Sequence, residues 1–400
     1  MSGLIFSQYF WPENFKINEL VSEFSKKFDI EVLTSLPNYP KGEIFPQFKK
    51  NRKKYNKFNQ IKIHRVPQIP RGSGSKIRIF LNYLSFIFFS FIKILLLKKK
   101  YKFIFIFAPS PIISVIPAIL LSKIINCKVY IWVLDLWPEV LKDLKIIRSP
   151  FILSIIDKVS MFVYKNSDKI FVQSESFKKI INKKLMKKNI KKKIITIYSW
   201  SDKLEGIKNN KKNIKKKIVF LFMGNIGQSQ NLFFLVDSVR KIEKFKYNKF
   251  EFNLVGSGRM QENLRRYINE KKLQSIIKLY KFKKIKELKN IINSSDVLYL
   301  SLIEGKFINS TIPAKFQTYL SIGKPILASI DGEVKNFIKK NKCGLVSSPK
   351  DNNDLKINIE KFLNMNNKAL KRLGDNSLKL SRNTFNKSLI IKKITREISY

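Results

Sequence analysis

Two short stretches place residues where a phosphate could be held. Ser310-Thr311-Ile312-Pro313-Ala314-Lys315 reads as a helix entry, with Ser310 or Thr311 as the cap and Pro313 in the first turn. Lys315 then stands beside free backbone N–H groups, an unfavourable place for a cation unless an anion lies there. A diphosphate would resolve the conflict; a solvated lysine in a lysine-rich chain is the plainer alternative. Gly224-Asn225-Ile226-Gly227 joins an apolar strand to a helical pattern. Glycine lets a ligand approach the backbone, and the following helix offers N–H groups to an anion, although ordinary turn chemistry also uses two glycines. The spacing is not the GxGxxG dinucleotide fingerprint. Gly256-Ser257-Gly258 follows another strand and could meet a nucleobase or simply turn, and Asp331-Gly332-Glu333 is placed in the same way.

Carboxylates gather at strand ends in the first half. Asp135 and Glu139 flank Leu136-Trp137-Pro138 just beyond a strand, Pro12-Glu13 lies past the first strand, and Asn38-Tyr39-Pro40 is a third such loop. In open α/β sheets ligands bind at these ends. The single histidine, His64, excludes a multi-histidine metal site, and no triad partner stands near it in sequence. Cys127 and Cys343 are far apart, without CxxC spacing, and read as reduced, semi-buried thiols of a cytoplasmic protein.

The elements that must position these residues alternate. Leu4–Ser7 reads as a strand, Ile17, Leu20, Val21 and Phe24 mark one face of a helix, and Ile30–Thr34 is a second strand. Phe103–Phe107, Val129–Leu134 and Lys169–Val172 continue the series, with an apolar helix over Ile112–Ile125. The second half restarts with strands at Ile218–Met223, Phe250–Val255, Val297–Leu302 and Pro325–Ser329. Two α/β domains follow: residues 1–199, and residues 217–375 after a linker at 200–216 in a low-complexity, lysine-rich stretch. The segment 376–400 reads as a helix that returns to the first domain.

The 400 residues carry a formal net charge of +50. A polyanionic partner is one explanation, and the Lys-, Ile-, Asn- and Phe-rich composition of AT-rich genomes is another. The lysines are spread along the whole chain, with runs such as Lys98–Lys100 and Lys191–Lys193 between elements, which argues against a nucleic-acid groove, where aromatics and arginines would alternate on one face. Met1 leads straight into a strand pattern, with no signal-peptide features. Ile79–Ile92 carries no charge; Lys93 interrupts, Ile94–Leu97 continue and Lys98–Lys100 close the run. It is at the margin for a bilayer span. The expectation is a helix over residues 79–97 lying in the cytoplasmic leaflet, with a buried core helix as the alternative.

In order along the chain, Tyr9-Phe10-Trp11-Pro12-Glu13, Pro37-Asn38-Tyr39-Pro40-Lys41-Gly42, Leu81-Asn82-Tyr83-Leu84-Ser85-Phe86, Asp135-Leu136-Trp137-Pro138-Glu139, Gln173-Ser174-Glu175-Ser176-Phe177, Met223-Gly224-Asn225-Ile226-Gly227, Gly256-Ser257-Gly258, Ile312-Pro313-Ala314-Lys315 and Tyr319-Leu320-Ser321-Ile322-Gly323-Lys324-Pro325 resemble bacterial glycosyltransferases of family 4. The branch they look most like makes O-antigen, capsule and colanic-acid sugars and includes L-fucosamine transferases. The resemblance implies the GT-B fold, two Rossmann-like domains facing a central cleft. It also implies a UDP-sugar donor such as UDP-L-FucNAc, retention of configuration, no cofactor and no obligatory metal. The implied acceptor is a polyprenyl-diphosphate-linked sugar at an anionic inner-membrane surface, with no nucleic-acid partner.

Residue by residue, the resemblance implies donor contacts at Gly224, Asn225, Gly227, Gln228, Gly256, Ser257, Pro313 and Lys315. The chain also departs from the family. The two glutamates usual in family 4, eight positions apart, fall on Ser310 and Thr318; Glu304, in Ser301-Leu302-Ile303-Glu304-Gly305, resembles the first of them. The usual Arg and Lys after the glycine turn give way to neutral residues among Asn225, Gln228 and Gln230. Lys315 is therefore expected to carry the diphosphate. Asp135 stands nearest the usual first-domain histidine; with Glu13 it is expected to position the acceptor, with Asn38, Tyr39 and Glu139 alongside. A UDP-sugar 2-epimerase of the same fold and a non-catalytic, basic membrane-binding homologue are the rival readings.

Overall fold

A computed structural model describes residues 1–97, 99–201, 217–281 and 285–399. Most of the expected linker (202–216) and Lys98 lie outside the described residues. The chain divides into two compact units, one of Met1–Ile197 with Ser388–Tyr400, the other Tyr198–Lys387.

The first unit is built on an 8-stranded sheet. Its strands are β1 (Ser2–Phe6), β2 (Asp29–Ser35), β3 (Lys57–Phe58), β4 (Ile61–Val66), β5 (Phe103–Ala108), β6 (Lys128–Val133), β7 (Lys169–Val172) and β8 (Lys193–Thr196). Their order is β3-β4-β2-β1-β5-β6-β7-β8, and only β3 runs antiparallel, against β4. Central strands of a parallel sheet are covered on both faces, so they read as unbroken apolar runs. Phe103–Ala108 is of this kind, with every residue buried. The strand order reverses between β1 and β5, so the loops after β1, β2, β5 and β6 open at one switch point.

The second unit has a 6-stranded, all-parallel sheet of β9 (Ile218–Met223), β10 (Phe250–Val255), β11 (Ile277–Tyr280), β12 (Val297–Ser301), β13 (Ile326–Ser329) and β14 (Gly344–Ser347). The order β11-β10-β9-β12-β13-β14 is the doubly wound 3-2-1-4-5-6 arrangement, with its switch point between β9 and β12. Phe220 of β9 stacks on Phe252 of β10 at 4.5 Å between centroids, and Tyr299 of β12 meets Phe252 edge-on at 5.8 Å. These rings lock the strands on either side of the switch point.

Several expectations shift. Lys193–Thr196, just before the expected linker, is the edge strand β8, with the successive Ile194 and Ile195 buried on its two faces. Ile112–Val115 is a 3-10 turn, and the helix proper is Ile116–Ile125, with Pro117 in its first turn. The chain enters the second unit at Tyr198, whose ring packs on Phe337 and Phe385. Residues 376–387, expected to return to the first domain, stay in the second: the helix Asn367–Thr384 lies on Ala314–Ile322. A Cβ on Gly374 would stand 2.3 Å from the Gly323 carbonyl oxygen, so only glycine allows that approach. The return to the first unit is made by Lys387–Ser399, through Lys393 Nζ to the Thr196 carbonyl at 3.0 Å and ion pairs from Glu397 to Lys169 and Lys193.

Lys324 anchors the helix that ends at Ser294. Its buried ammonium donates to the carbonyls of Ile292 (2.5 Å), Asn293 (3.4 Å) and Ser295. Charged hydrogen bonds to helix-end carbonyls are among the stronger ones. Lys324→Met is expected to destabilise the second unit by about 2 kcal/mol or more, read as a lowered denaturation midpoint of the full chain.

Candidate functional site

In the second unit, three loops converge at the switch point. The loop after β9 passes so close to the loop after β10 that a Cβ on Gly256 would stand 1.8 Å from the Gly224 carbonyl oxygen, and one on Gly258 2.3 Å from that of Ile226. Backbone bonds from Gly224 N to Val255 O (2.9 Å) and Ile226 N to Ser257 O (2.9 Å) tie the loops together. Ser257 and Asn225 are exposed at their tips. The third contributor is the helix Ala314–Ile322, entered at Pro313.

Lys315 lies at this junction. Its Nζ is shielded from solvent, has no hydrogen-bond partner among the described residues, and sits 3.7 Å above the Phe222 ring. A Cβ on Gly224 would come within 3.0 Å of Lys315 Cε and 3.3 Å of its Nζ. Gly224 has φ +131°, a conformation open to glycine, and that is what admits the amine beside the loop. Burial pulls the Lys315 amine down from 10.5 to about 7. A solvated surface lysine would show none of this.

The helix entry differs from the expected one. Ser310 and Thr311 donate to the Phe307 and Ile308 carbonyls at 2.6 and 2.8 Å, within the 3-10 turn Ile308–Ser310, and neither caps the helix. Pro313 stands at the cap position with no side-chain bond to the helix, so the first N–H groups next to Lys315 keep their donor capacity. Gly227 likewise does not run straight into a helix. A 3-10 turn, Gln228–Gln230, intervenes before Leu232–Arg240, and the Gly227 N–H is taken by Gln230 Oε1 at 3.0 Å.

The remaining donor candidates are placed as follows. Asn225 Nδ2 reaches Gln230 Oε1 at 3.5 Å, and Gln228 is exposed. Thr318 bonds back to the Ala314 carbonyl at 3.2 Å, one turn up its own helix. Glu304 forms an ion pair with Lys350. Thus Gly224, Gly256 and Lys315 are brought together with Pro313 at the helix entry, whereas Glu304 is engaged elsewhere.

The first-unit candidates form a knot of loops. Glu13 is buried; Oε1 accepts from the N–H groups of Asn38 (2.9 Å) and Tyr39 (2.7 Å), and Oε2 from that of Phe10 (3.2 Å). Burial pushes its carboxyl up to about 7 against the downward pull of those bonds and of Arg65. Its oxygens are spent on backbone, so Glu13 shapes the loops after β1 and β2. Asn38 is buried with it, donating to the Leu36 carbonyl at 3.0 Å.

Asp135 differs: no hydrogen bond holds its carboxylate among the described residues, and burial raises it from 3.8 to about 7. Glu139 pairs with Lys184, which also meets Asp157 at 2.7 Å. His64 Nε2 is 2.7 Å from Glu31 Oε2, which also accepts from the Tyr101 hydroxyl at 2.7 Å. That network braces the pairing of β2 with β4, away from the loops.

Sequence reasoning missed two arginines here. Arg65 donates to the carbonyls of Trp11 (2.5 Å), Ser35 (2.9 Å) and Tyr55. Arg71 donates to the hydroxyls of Tyr9 and, at 2.8 Å, Tyr83, with its guanidinium 5.2, 5.5 and 5.3 Å from the rings of Tyr9, Tyr39 and Tyr83. Those tyrosines all fall within the motifs quoted above, and their shared partner was the signal available. Among the described residues no three of His, Cys, Asp and Glu converge in a metal-binding group.

Residues 205–380 match the Glycosyl transferases group 1 family. An uncharacterised glycosyltransferase of Methanocaldococcus jannaschii is 28% identical over 255 residues, 58% of this chain and 59% of that relative's length. Sucrose-phosphate synthase of Thermosynechococcus elongatus superposes with a TM-score of 0.71 at 14% identity, covering 100% of this chain and 98% of its own. Anabaena HepE in complex with UDP and glucose gives 0.65 at 13% identity, with 100% and 99% covered. The fold is that of the GT-B glycosyltransferases, and the match to the group 1 family falls within the second unit.

Gly224→Ala should crowd Lys315 out of its place. The expected outcome is a folded protein, about 1 kcal/mol less stable from the positive φ, whose UDP affinity falls about tenfold or more, as read by calorimetric titration.

Proposed function

We propose that this protein is a retaining glycosyltransferase that moves a sugar from a UDP-sugar to a polyprenyl-diphosphate-linked saccharide in surface-polysaccharide assembly. The donor expected from the resemblance is an N-acetylated deoxyhexosamine such as L-FucNAc, and the product an O-antigen or capsule repeat. The observation that carries the reading is the Lys315 amine, buried beside Gly224 and the entry of the Ala314–Ile322 helix with no hydrogen-bond partner among the described residues. A donor diphosphate supplies that anion, and the UDP-bound relative supports the choice of nucleotide.

In the reaction the acceptor oxygen bonds to the anomeric carbon on the face from which the diphosphate leaves. The carbon–oxygen bond to the diphosphate breaks, and the hydroxyl proton passes to the departing phosphate. Lys315 and the helix-entry N–H groups stabilise the growing charge. The reaction needs no metal, because these groups do the neutralising. Asp135, unlike Glu13, has oxygens available to orient the acceptor hydroxyl.

Association with an anionic inner-membrane surface completes the reading, supported by the helix Lys76–Leu95, which is inverted for a soluble protein. Asn82, Ser85 and Ser90 are buried, with Asn82 bonded to Gln8 (3.1 Å) and to the Ile69 carbonyl (2.6 Å). Ile77, Phe80, Phe88 and Leu95 are exposed, each more than 60%. An apolar patch of that kind marks an interaction surface.

The test combines turnover and pH. Incubation with a panel of UDP-sugars and a lipid-diphosphate-sugar acceptor should release UDP, with EDTA without effect, and Lys315→Met should slow release about tenfold or more. An amine at about 7 must take up a proton to meet the diphosphate, so UDP affinity should fall as pH rises above 7, by up to about tenfold per unit. The Lys315→Met profile should be flat. A wild-type profile as flat as the variant's rejects the assignment of Lys315 to the phosphate.

A further inference from the structure

An open cavity of about 720 Å³ lies in the first unit, between the chain leading from Pro138 to Arg148, the helix Pro150–Lys165 and Lys184 of the helix Glu175–Met186. Its size is that of an organic-ligand site, larger than a single inorganic ion needs. Two groups of charged residues line it. Lys142, Lys145 and Arg148 form the first, and no ion pair engages them among the described residues. In the second, Lys184 pairs with Glu139 and, at 2.7 Å, with Asp157. The helix that starts at Pro150 also opens onto the cavity and adds the partial positive charge of its N-terminal end.

Four cations against two carboxylates leave the lining with an excess of two positive charges. A phosphomonoester carries about −1.5 to −2 at neutral pH, so one such group balances the cavity. Arginine and lysine grouped in a cavity recognise its oxygens. Phosphate alone leaves the carboxylates unexplained. Asp157 gives Oδ1 to Lys184, and no hydrogen bond takes its Oδ2 among the described residues. Glu139 gives one oxygen to Lys184 and has no partner for the other, Oε2, among the described residues. Carboxylate oxygens with spare lone pairs accept from hydroxyl groups. A ligand that meets both demands carries a phosphate and several hydroxyls.

We propose that this cavity binds a soluble phosphorylated sugar, with the phosphate on Lys142, Lys145 and Arg148 and the hydroxyls on Glu139 and Asp157. Binding there bears on the loop after β6. Pro138 and Glu139 line the cavity immediately after Asp135-Leu136-Trp137, and Ser160 of the helix Pro150–Lys165 donates to the Trp137 carbonyl at 2.9 Å. A ligand that joins the 138–148 chain to that helix therefore holds the turn that carries Asp135. The effect on transfer rests on the acceptor role proposed for Asp135 above. The binding itself does not, and Lys315 is not among the residues that line the cavity. Lys145 has φ +52°, a left-handed conformation that favours glycine. Replacement by glycine therefore removes a cation and relieves backbone strain together, which separates loss of binding from loss of folding.

The experiment titrates the full chain with glucose 1-phosphate by calorimetry, with inorganic phosphate and glucose as partial ligands, and follows tryptophan fluorescence. The proteins are wild type, Lys145→Gly, the double variant Lys142→Ala/Arg148→Ala, Asp157→Ala, Trp137→Phe and Lys315→Met. The expected result is saturable binding of glucose 1-phosphate, at least about tenfold tighter than that of phosphate or glucose. Both cation variants should weaken it about tenfold or more, and Lys145→Gly should melt no lower than wild type. Asp157→Ala should narrow the preference for glucose 1-phosphate over phosphate, because it removes a hydroxyl acceptor and leaves the cations. Saturating UDP and Lys315→Met should leave the affinity unchanged. Fluorescence should shift on binding, and the shift should be absent in Trp137→Phe while binding persists. Unchanged affinity in the cation variants overturns the proposal. So does displacement by UDP, since the ligand would then occupy the nucleotide site. Inorganic phosphate bound as tightly as glucose 1-phosphate rejects the sugar, and a fluorescence shift that survives Trp137→Phe rejects the link to the loop. Failure of the glycosyltransfer reading shows separately, as absent UDP binding and release while glucose 1-phosphate still binds.

Discussion

Lys315 carries an amine into a place where, among the described residues, no carboxylate meets it, and much of the second unit is arranged around that fact. Burying an uncompensated charge is costly, and the chain meets the cost by letting the amine lose its proton near neutral pH. The face of Phe222 gives partial compensation. Around the amine, the Gly224 loop, the Gly256 loop and the bare entry of the Ala314–Ile322 helix leave backbone groups and space at the switch point of the sheet. Tyr319, one turn further along that helix, accepts from the Met223 N–H at 2.8 Å, so the helix bearing Lys315 is pinned to the end of β9. The site is thus held by its scaffold, which is what electrostatic preorganisation requires.

The first unit follows a different logic. Glu13 and Arg65 spend their side-chain oxygens and N–H groups on backbone N–H groups and carbonyls, and Arg71 bonds the hydroxyls of Tyr9 and Tyr83, so the loops after β1, β2 and β4 form one body. Against that body lies a helix whose polar residues face inward. Asn82 and Ser85 serve the same loops, the latter accepting from the Ile69 N–H at 2.9 Å, and this leaves Phe80 and Phe88 outward. The apolar surface is therefore a consequence of how the loops are tied.

Much of the fold was legible because central parallel strands are dominated by apolar residues: Lys169–Val172, Ile218–Met223 and Phe250–Val255 have the boundaries their sequences suggest, even with Glu251 and Asn253 inside the last. Edge strands were not. β8 and β14 are only four residues each, at the sheet edges, and β8 is flanked by lysines that mask it. The caps at Ser310 and Thr311 misled because those hydroxyls found nearer carbonyls in a preceding 3-10 turn, a competition local sequence does not resolve. The position of Lys315 beside a helix entry could be read from Pro313, but its burial depended on Phe222 and Gly224, about 90 residues earlier. Glu13 and Asp135 looked alike in sequence; only tertiary packing gave one three backbone donors and left the other with none.

The central claim is that the Lys315 amine is a buried, titrating group that a nucleoside diphosphate recharges. Carbon-13 NMR of reductively methylated lysines reads this directly, with the Lys315 resonance assigned by its loss in Lys315→Arg. In the free protein the resonance should titrate near 7. With UDP bound it should stay charged to at least about two units higher, as expected for an ammonium in contact with a diphosphate. A Lys315 resonance that titrates at the ordinary lysine value, or one that UDP leaves unmoved, would contradict the account.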